Sequence, residues 1–259
     1  MKVLVTFALE AEFAPWRKRW SFAACDFRVS QHAPARCFSA LVRDAEVTVF
    51  LTGMALRGAE PGLSFLLGQS PDVCICAGLA GGLRSSLKVG EIIAAQSVLA
   101  ASGDSPRNCA EELVQLAARD GATLVPRLLT SGKVLSTARM KAEAAPVADA
   151  VDMETFPLLA KTGEKRIPTV VVRAVSDTSA QDLPLDFDRV SNSRGAVSFA
   201  ALAGQLLRRP ARLPALVRFG RQSKRAAEHL AEFLDSFVPA VAARPLDNAS
   251  ESLYEVAAT

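Results

Sequence analysis

Histidine is scarce in this chain of 259 residues, which has only His32 and His229. Neither lies near a serine-and-acid pattern, so a Ser–His–Asp relay is not read. Two histidines and scattered cysteines give no zinc-ligand spacing, and neither a metal nor a cofactor is expected. The five cysteines (Cys25, Cys37, Cys74, Cys76, Cys109) are odd in number and lack CxxC spacing, which excludes a disulfide framework. Free thiols fit a reducing compartment. Long apolar runs are also missing: no stretch approaches the ~20 residues of a membrane span. The run Val3 to Leu9 is short and meets Glu10 and Glu12, unlike a signal peptide, so a cytoplasmic location is expected. Excess charge is small, with 30 basic against 27 acidic residues, too little for bulk nucleic-acid binding, and no nucleic-acid partner is expected. No Gly-Lys-Ser/Thr follows the glycine-rich stretch, and no dinucleotide fingerprint follows the first strand.

What is present is apolar patterning. Half of the residues are apolar, enough for a sizeable core in one α/β domain. β-rich runs occur at 3–8, 47–51, 73–77, 91–98, 123–130 and 169–176, several continuously apolar, as strands buried on both faces require. Helix-compatible stretches lie between them near 10–20, 55–68, 109–119, 153–163 and 197–208. The alternation predicts an α/β fold with a central, mostly parallel (mixed) sheet flanked by helices. Cys74 and Cys76, two apart on a strand, would share one face as buried small hydrophobes.

Ligands in such sheets bind beyond the carboxyl ends of the strands. The residues there are Glu10 and Glu12 after the first strand, Gly53 after the second, and Gly78 to Gly82 after the third. Ser176 and Asp177 follow the last, and Asp152-Met153-Glu154 opens the helix before it. The glycines read as a loop allowing close backbone approach to a ligand. Singly, Glu12, Glu154 or Asp177 could merely complement a helix dipole. Together at one edge, beside Arg173 and Ser176, they suit chemistry at a glycosidic bond: protonating a leaving group, activating water and stabilising a cationic sugar.

Five stretches sharpen this reading: MKVLVTFALEAE, CAGLAGGL (76–83), LKVGEII (87–93), VDMET (151–155) and VVVRAVSD (170–177). In order and spacing they resemble the purine nucleoside phosphorylase and nucleosidase superfamily over about residues 1–205, most of all the methylthioadenosine and S-adenosylhomocysteine nucleosidases. The resemblance implies a nucleoside phosphorylase-like fold and a homodimer or larger homo-oligomer. It implies that Asp177 protonates or hydrogen-bonds the purine at N7, with Ser176 orienting it. Glu154, with the Met153 backbone, would hold the ribose hydroxyls. Glu12 would take a proton from water, Arg173 would position both, and Gly78 and its neighbours would line the pocket. Leu79 stands where these nucleosidases usually have serine. Leu135 and Ser136 replace an aromatic residue that stacks on the base, so adenine and other purines stay open. The 99–112 segment is shorter than the usual cover of the 5′ group, leaving room for a larger substituent. Glu10 and Glu12 would repel a phosphate dianion, which favours hydrolysis. Arg57 keeps phosphorolysis open, and a non-catalytic nucleoside-binding protein on the same fold is the other alternative.

Beyond about residue 205 the pattern changes. Arg208, Arg209, Arg212, Arg218, Arg221, Lys224 and Arg225 occur with no acidic residue among them. Leu213, Leu216, Val217, Gly220, Leu230, Leu234 and Phe237 fall near one helical face, predicting a basic amphipathic helix over 206–238 and a flexible tail over 239–259. This extension resembles that of the hopanoid-associated nucleosidase branch, which implies adenosylhopane, an adenosylated triterpenoid lipid, as substrate. Such a helix suits peripheral contact, through 208–237, with the inner face of an anionic membrane, or packing on the core with a solvated basic side.

Overall fold

The computed structural model describes residues 1–25, 36–56, 58–184 and 213–244. The helix expected near 197–208, Arg57 and the tail beyond residue 244 lie outside the described residues. The chain opens with β1 (Lys2–Phe7) and α1 (Glu10–Arg17), then β2 (Ala23–Ala24), β3 (Arg36–Val42) and β4 (Ala45–Leu51). A 3-10 turn (Met54–Leu56) and α2 (Glu60–Gly68) lead to β5 (Val73–Gly82), β6 (Ile92–Ala100) and β7 (Arg107–Asn108). Next come α3 (Glu111–Arg119), β8 (Thr123–Thr130), α4 (Ala138–Ala144) and β9 (Ala150–Asp152). The last elements are α5 (Thr155–Glu164), β10 (Thr169–Asp177) and α6 (Leu213–Ala242).

The sheet is mixed and flanked by helices. β1 lies between β4 and β5, parallel to both, and β10 is parallel to the other edge of β5. The sheet then turns back on itself: β10 pairs antiparallel with β6, β6 and β8 are parallel, β8 and β9 are parallel, and β9 returns to β5. Five strands thus close a ring, and β1, β4, β3 and β2 extend from it as a wing. Strands buried on both faces explain the unbroken apolar runs. Every residue of β10 is buried, and Cys74 and Cys76 are fully enclosed on β5. The wing packs on α1 through Phe7, Phe13, Trp16, Phe22 and Phe38, whose rings meet at tilted and edge-on angles.

Two details place the site. β9 is three residues long and pairs with Gly81 and Gly82, so all of it sits at the carboxyl end of β5 although it runs the other way. In β10, Val175 pairs with Ala80 and Asp177 with Gly81, leaving Ser176 as a bulge. Neighbours on a regular strand point to opposite faces; a bulge re-aims them.

Several expectations are corrected here. Gly78 to Gly82 is no loop: it is the second half of β5, held by pairing to β10 and β9. Asp152 ends β9 and α5 starts at Thr155, so Glu154 is its N-terminal flanking residue. The helix expected from residue 55 starts at Glu60, because Ala55 and Leu56 adopt left-handed backbone (φ 54°) in the preceding turn. The last helix continues to Ala242. Its apolar face also divides: Leu230, Leu234 and Phe237 are fully buried, whereas Leu213 is 51% and Val217 45% exposed.

Candidate active site

Arg173, on β10, lies among the buried groups at the end of β5 and is nearly sealed from solvent. Its Nη2 donates to Asp152 Oδ2 at 2.6 Å and to Thr155 Oγ1 at 2.5 Å. Thr155 also donates to Asp152 Oδ2, and Thr130 Oγ1 donates to Asp152 Oδ1 at 2.8 Å. A Cβ on Gly78 would collide with Arg173 Nη1, so glycine on β5 makes room for this guanidinium. Burial works against the charge of Arg173, but Asp152, Glu154, Cys76 and Glu12 outweigh it and hold its pKa above the ordinary value.

Glu12 and Glu154 flank that cation. Glu12 Oε2 accepts the N–H groups of Ala8 and Leu9 at 3.0 Å, and Oε1 accepts Leu79 N–H at 3.2 Å. Burial raises the Glu12 carboxyl above its usual range, partly offset by Arg173 and those backbone donors. Glu154 Oε1 accepts Ala55 N–H at 2.9 Å and Oε2 accepts Met153 N–H at 3.3 Å. Burial first, and then the neighbouring Asp152 charge, push Glu154 up to about 8. Acids moved toward neutrality in one cleft are suited to proton transfer.

Asp177 forms a separate station. Its Oδ1 accepts Ser176 Oγ–H at 2.5 Å, and Ser176 Oγ also lies 3.2 Å from Ala80 O. Oδ2 is ion-paired with Lys141 of α4, a lysine 1% exposed. Gly81 passes close by: a Cβ there would approach Asp177 Oδ2 to 3.2 Å. All three carboxylates, Glu12, Glu154 and Asp177, open onto one cavity of about 510 Å³. Leu79, Leu135, Met153 and Ser176 line it too, as do Lys133, Val134 and Leu183. Its remaining wall comes from the first half of α6, through Leu216, Phe219, Gly220, Ser223 and Lys224.

The structure therefore gathers Glu12, Glu154, Asp177, Met153, Ser176, Leu79 and Leu135 around one space. Two expected lining residues are elsewhere. Gly78 lies behind the wall against Arg173, and Ser136 faces α4, with Oγ 3.9 Å from Met140 Sδ. Arg173 does not line the cavity and acts from beneath, through Asp152 and its charge on Glu12. Sequence reasoning misses Lys141 and Phe219, and it gives no role to Asp152, which it places at the ligand edge, or to Thr155. Lys141 carries no signal in sequence, since a lysine in TARMKAEA reads as a solvated charge. Phe219 sits among arginines, yet it is the aromatic side chain of the cavity among the described residues.

Comparison with known proteins agrees with this architecture. A 5′-methylthioadenosine/S-adenosylhomocysteine nucleosidase from Glaesserella parasuis is 26% identical over 186 residues, covering 62% of this chain and 80% of that protein. The solved nucleosidase of the same name from Campylobacter jejuni aligns over 92% of this chain and 98% of its own, with TM-score 0.67 and 16% identity. Native futalosine hydrolase from Helicobacter pylori aligns over 92% and 97%, also with TM-score 0.67 and 16% identity. These two likenesses establish a shared fold. The family model of the phosphorylase superfamily matches residues 2–208, which span the ring, the wing and every carboxylate of the cavity. The chain belongs to the phosphorylase superfamily.

Proposed function

We propose that the protein hydrolyses the N-glycosidic bond of a purine nucleoside, adenine-type, with a bulky apolar 5′ substituent. The observation that carries this reading is the convergence of Glu12, Glu154 and Asp177 on one cavity whose α6 wall presents Leu216 and Phe219. Asp177 serves N7 of the base, so that the departing purine leaves without a full negative charge. Glu154 and the Met153 backbone hold the ribose hydroxyls while positive charge grows at C1′. Glu12 accepts the proton of the attacking water, and its raised carboxyl suits a general base. Arg173 and Asp152 hold the floor in place. Among the described residues no arginine lines the cavity to hold a phosphate dianion, which supports hydrolysis over phosphorolysis. The names of the relatives, nucleosidases and a futalosine hydrolase, support the same choice.

In this reading the 5′ group lies against Leu216 and Phe219 of α6, which line the cavity. An adenosylated triterpenoid such as adenosylhopane suits that wall. The outer surface of the same half-helix sets exposed Leu213 and Val217 beside Arg218, Arg221 and Arg225, a pattern suited to an anionic lipid surface. No helix among the described residues is long and apolar enough to cross a membrane.

The test is chromatographic detection of free base from a panel, with and without phosphate: adenosine, inosine, methylthioadenosine, S-adenosylhomocysteine and an adenosyl-hopanoid in detergent. Base and free sugar should appear without phosphate, fastest from the lipid-linked substrate. Release that requires phosphate and yields a sugar 1-phosphate would overturn hydrolysis; preference for unmodified adenosine would overturn the apolar 5′ group.

A further inference from the structure

Lys141 lies in the cavity wall, and the reaction as described above makes no use of it. Its Nζ is ion-paired with Asp177 Oδ2 and donates to Thr178 O and Gln181 O, each at 2.8 Å. Its three N–H groups thus have three acceptors, and the ammonium is held in one orientation. Placing it there is costly, since a buried ion pair seldom stabilises a fold more than apolar packing of the same volume would. Asp177 is fixed on both sides, by Lys141 at Oδ2 and by Ser176 at Oδ1.

We infer that Lys141 is the proton reservoir behind Asp177, a positioning residue that acts through it. The inference rests on the nucleosidase reading. An aspartic acid in water keeps its proton in only about one molecule per thousand at pH 7. Lys141 puts a proton donor in direct contact with Asp177 Oδ2. As the N9–C1′ bond breaks, its electron pair goes to the purine. A proton passes from Lys141 Nζ to Asp177, and Asp177 delivers one to N7. Water forms the new bond to C1′ and gives its proton to Glu12. The cycle ends when Glu12 releases that proton to solvent and the Lys141 amine regains one.

Other charged groups share this space. Glu12 of α1, Asp152 at the end of β9, Glu154 before α5, Lys133 after β8 and Lys224 of α6 line the same cavity. Asp182 caps the start of α4, accepting Ala138 N–H at 2.7 Å, and Arg173 on β10 is committed to Asp152. Among the described residues, Lys141 alone is bonded to Asp177 as a cation.

The experiment is the pH profile of kcat/KM for purine release by the wild type and Lys141→Met, with circular dichroism as the check on folding. The wild type should sustain release through neutral pH. Lys141→Met should lose about 100-fold at pH 7.5, falling about tenfold per pH unit and recovering in acid. A 4-nitrophenyl riboside, whose leaving group needs no proton, should lose less than tenfold in the same variant. Parallel profiles offset by a constant factor, or equal losses on both substrates, would mean that Lys141 only supports the wall, and the inference fails. If Lys141→Met does not fold, the wild-type profile decides: release already falling tenfold per unit below pH 7 marks Asp177 as a lone acid and overturns the reservoir. A wild type that releases base from no nucleoside defeats the nucleosidase reading itself. A wild type that releases base beside a parallel variant defeats only the role of Lys141.

Discussion

The floor and the roof of the cavity are built on opposite principles. The floor is made of strand ends, where Arg173, Asp152, Thr155 and Thr130 lock together at 2.5 to 2.8 Å and glycines clear the space. The roof is the first half of one helix, its apolar residues half-buried or exposed among arginines. What holds the roof in place is the other half of α6. There Asp235 accepts Trp16 Nε1–H at 3.0 Å and Trp20 Nε1–H at 2.7 Å and pairs with Arg19 at 2.9 Å, while Leu230, Leu234 and Phe237 fill the core. Bond-breaking chemistry demands fixed geometry, whereas recognition of a bulky apolar group demands only surface. In the proposed function one fold supplies both by giving them to different elements.

The sharpest way to break this division is to open the floor. Arg173→Met leaves Asp152 as an unpaired buried carboxylate and should cost about 3–5 kcal/mol in chemical denaturation, with base release lost. A variant as stable as the wild type would mean that water already reaches this cluster. Phe237→Ala attacks the anchor of the roof and should cost about 3–4 kcal/mol through the cavity it leaves. Because the roof is tied to that anchor, limited proteolysis should then cut α6 before the sheet. Cleavage elsewhere would show that roof and anchor are independent.

Titration separates the two regions more finely. Glu154 is raised to about 8 in the fold, so the folded state holds its proton where the unfolded chain has released it. Its contribution therefore favours folding at low pH and is lost as pH climbs from the ordinary carboxylate range to about 8. Glu154→Gln should flatten that part of the stability profile, measured as melting temperature against pH; an unchanged slope would assign it to another group. The smallest effects belong to the roof. Phe219→Ala should raise KM for the substrate with the largest 5′ group about tenfold and leave adenosine within twofold, by loss of one aromatic contact. Replacing Arg218, Arg221 and Arg225 by Gln should abolish sedimentation with anionic vesicles at low salt while base release in detergent persists. Retained sedimentation would move the lipid contact away from α6.

Much of the floor was legible in sequence, because β-rich runs ending in carboxylates and glycines can place those groups at only one edge of a parallel arrangement. Glu12, Glu154 and Asp177 were found that way. The glycines from Gly78 to Gly82 read as a loop in sequence because glycine marks turns more often than strands; here side chains from β10 occupy the space a Cβ would need. Sequence order cannot tell which side of a wall a residue faces, so Ser136 and Gly78 are indistinguishable in sequence from residues that line the cavity.

The sequence by itself determined the α/β alternation, the buried strands and the acidic character of the site, since all three follow from residue type and local spacing. Only the tertiary structure decided that the sheet closes through β9, that Ser176 bulges, that Lys141 meets Asp177 across 36 positions, and that α6 splits into anchor and roof. Those outcomes depend on which surfaces meet across long separations. A lysine reads as solvated until a carboxylate and two carbonyls enclose it, and an amphipathic stripe does not say how far along its length the core extends.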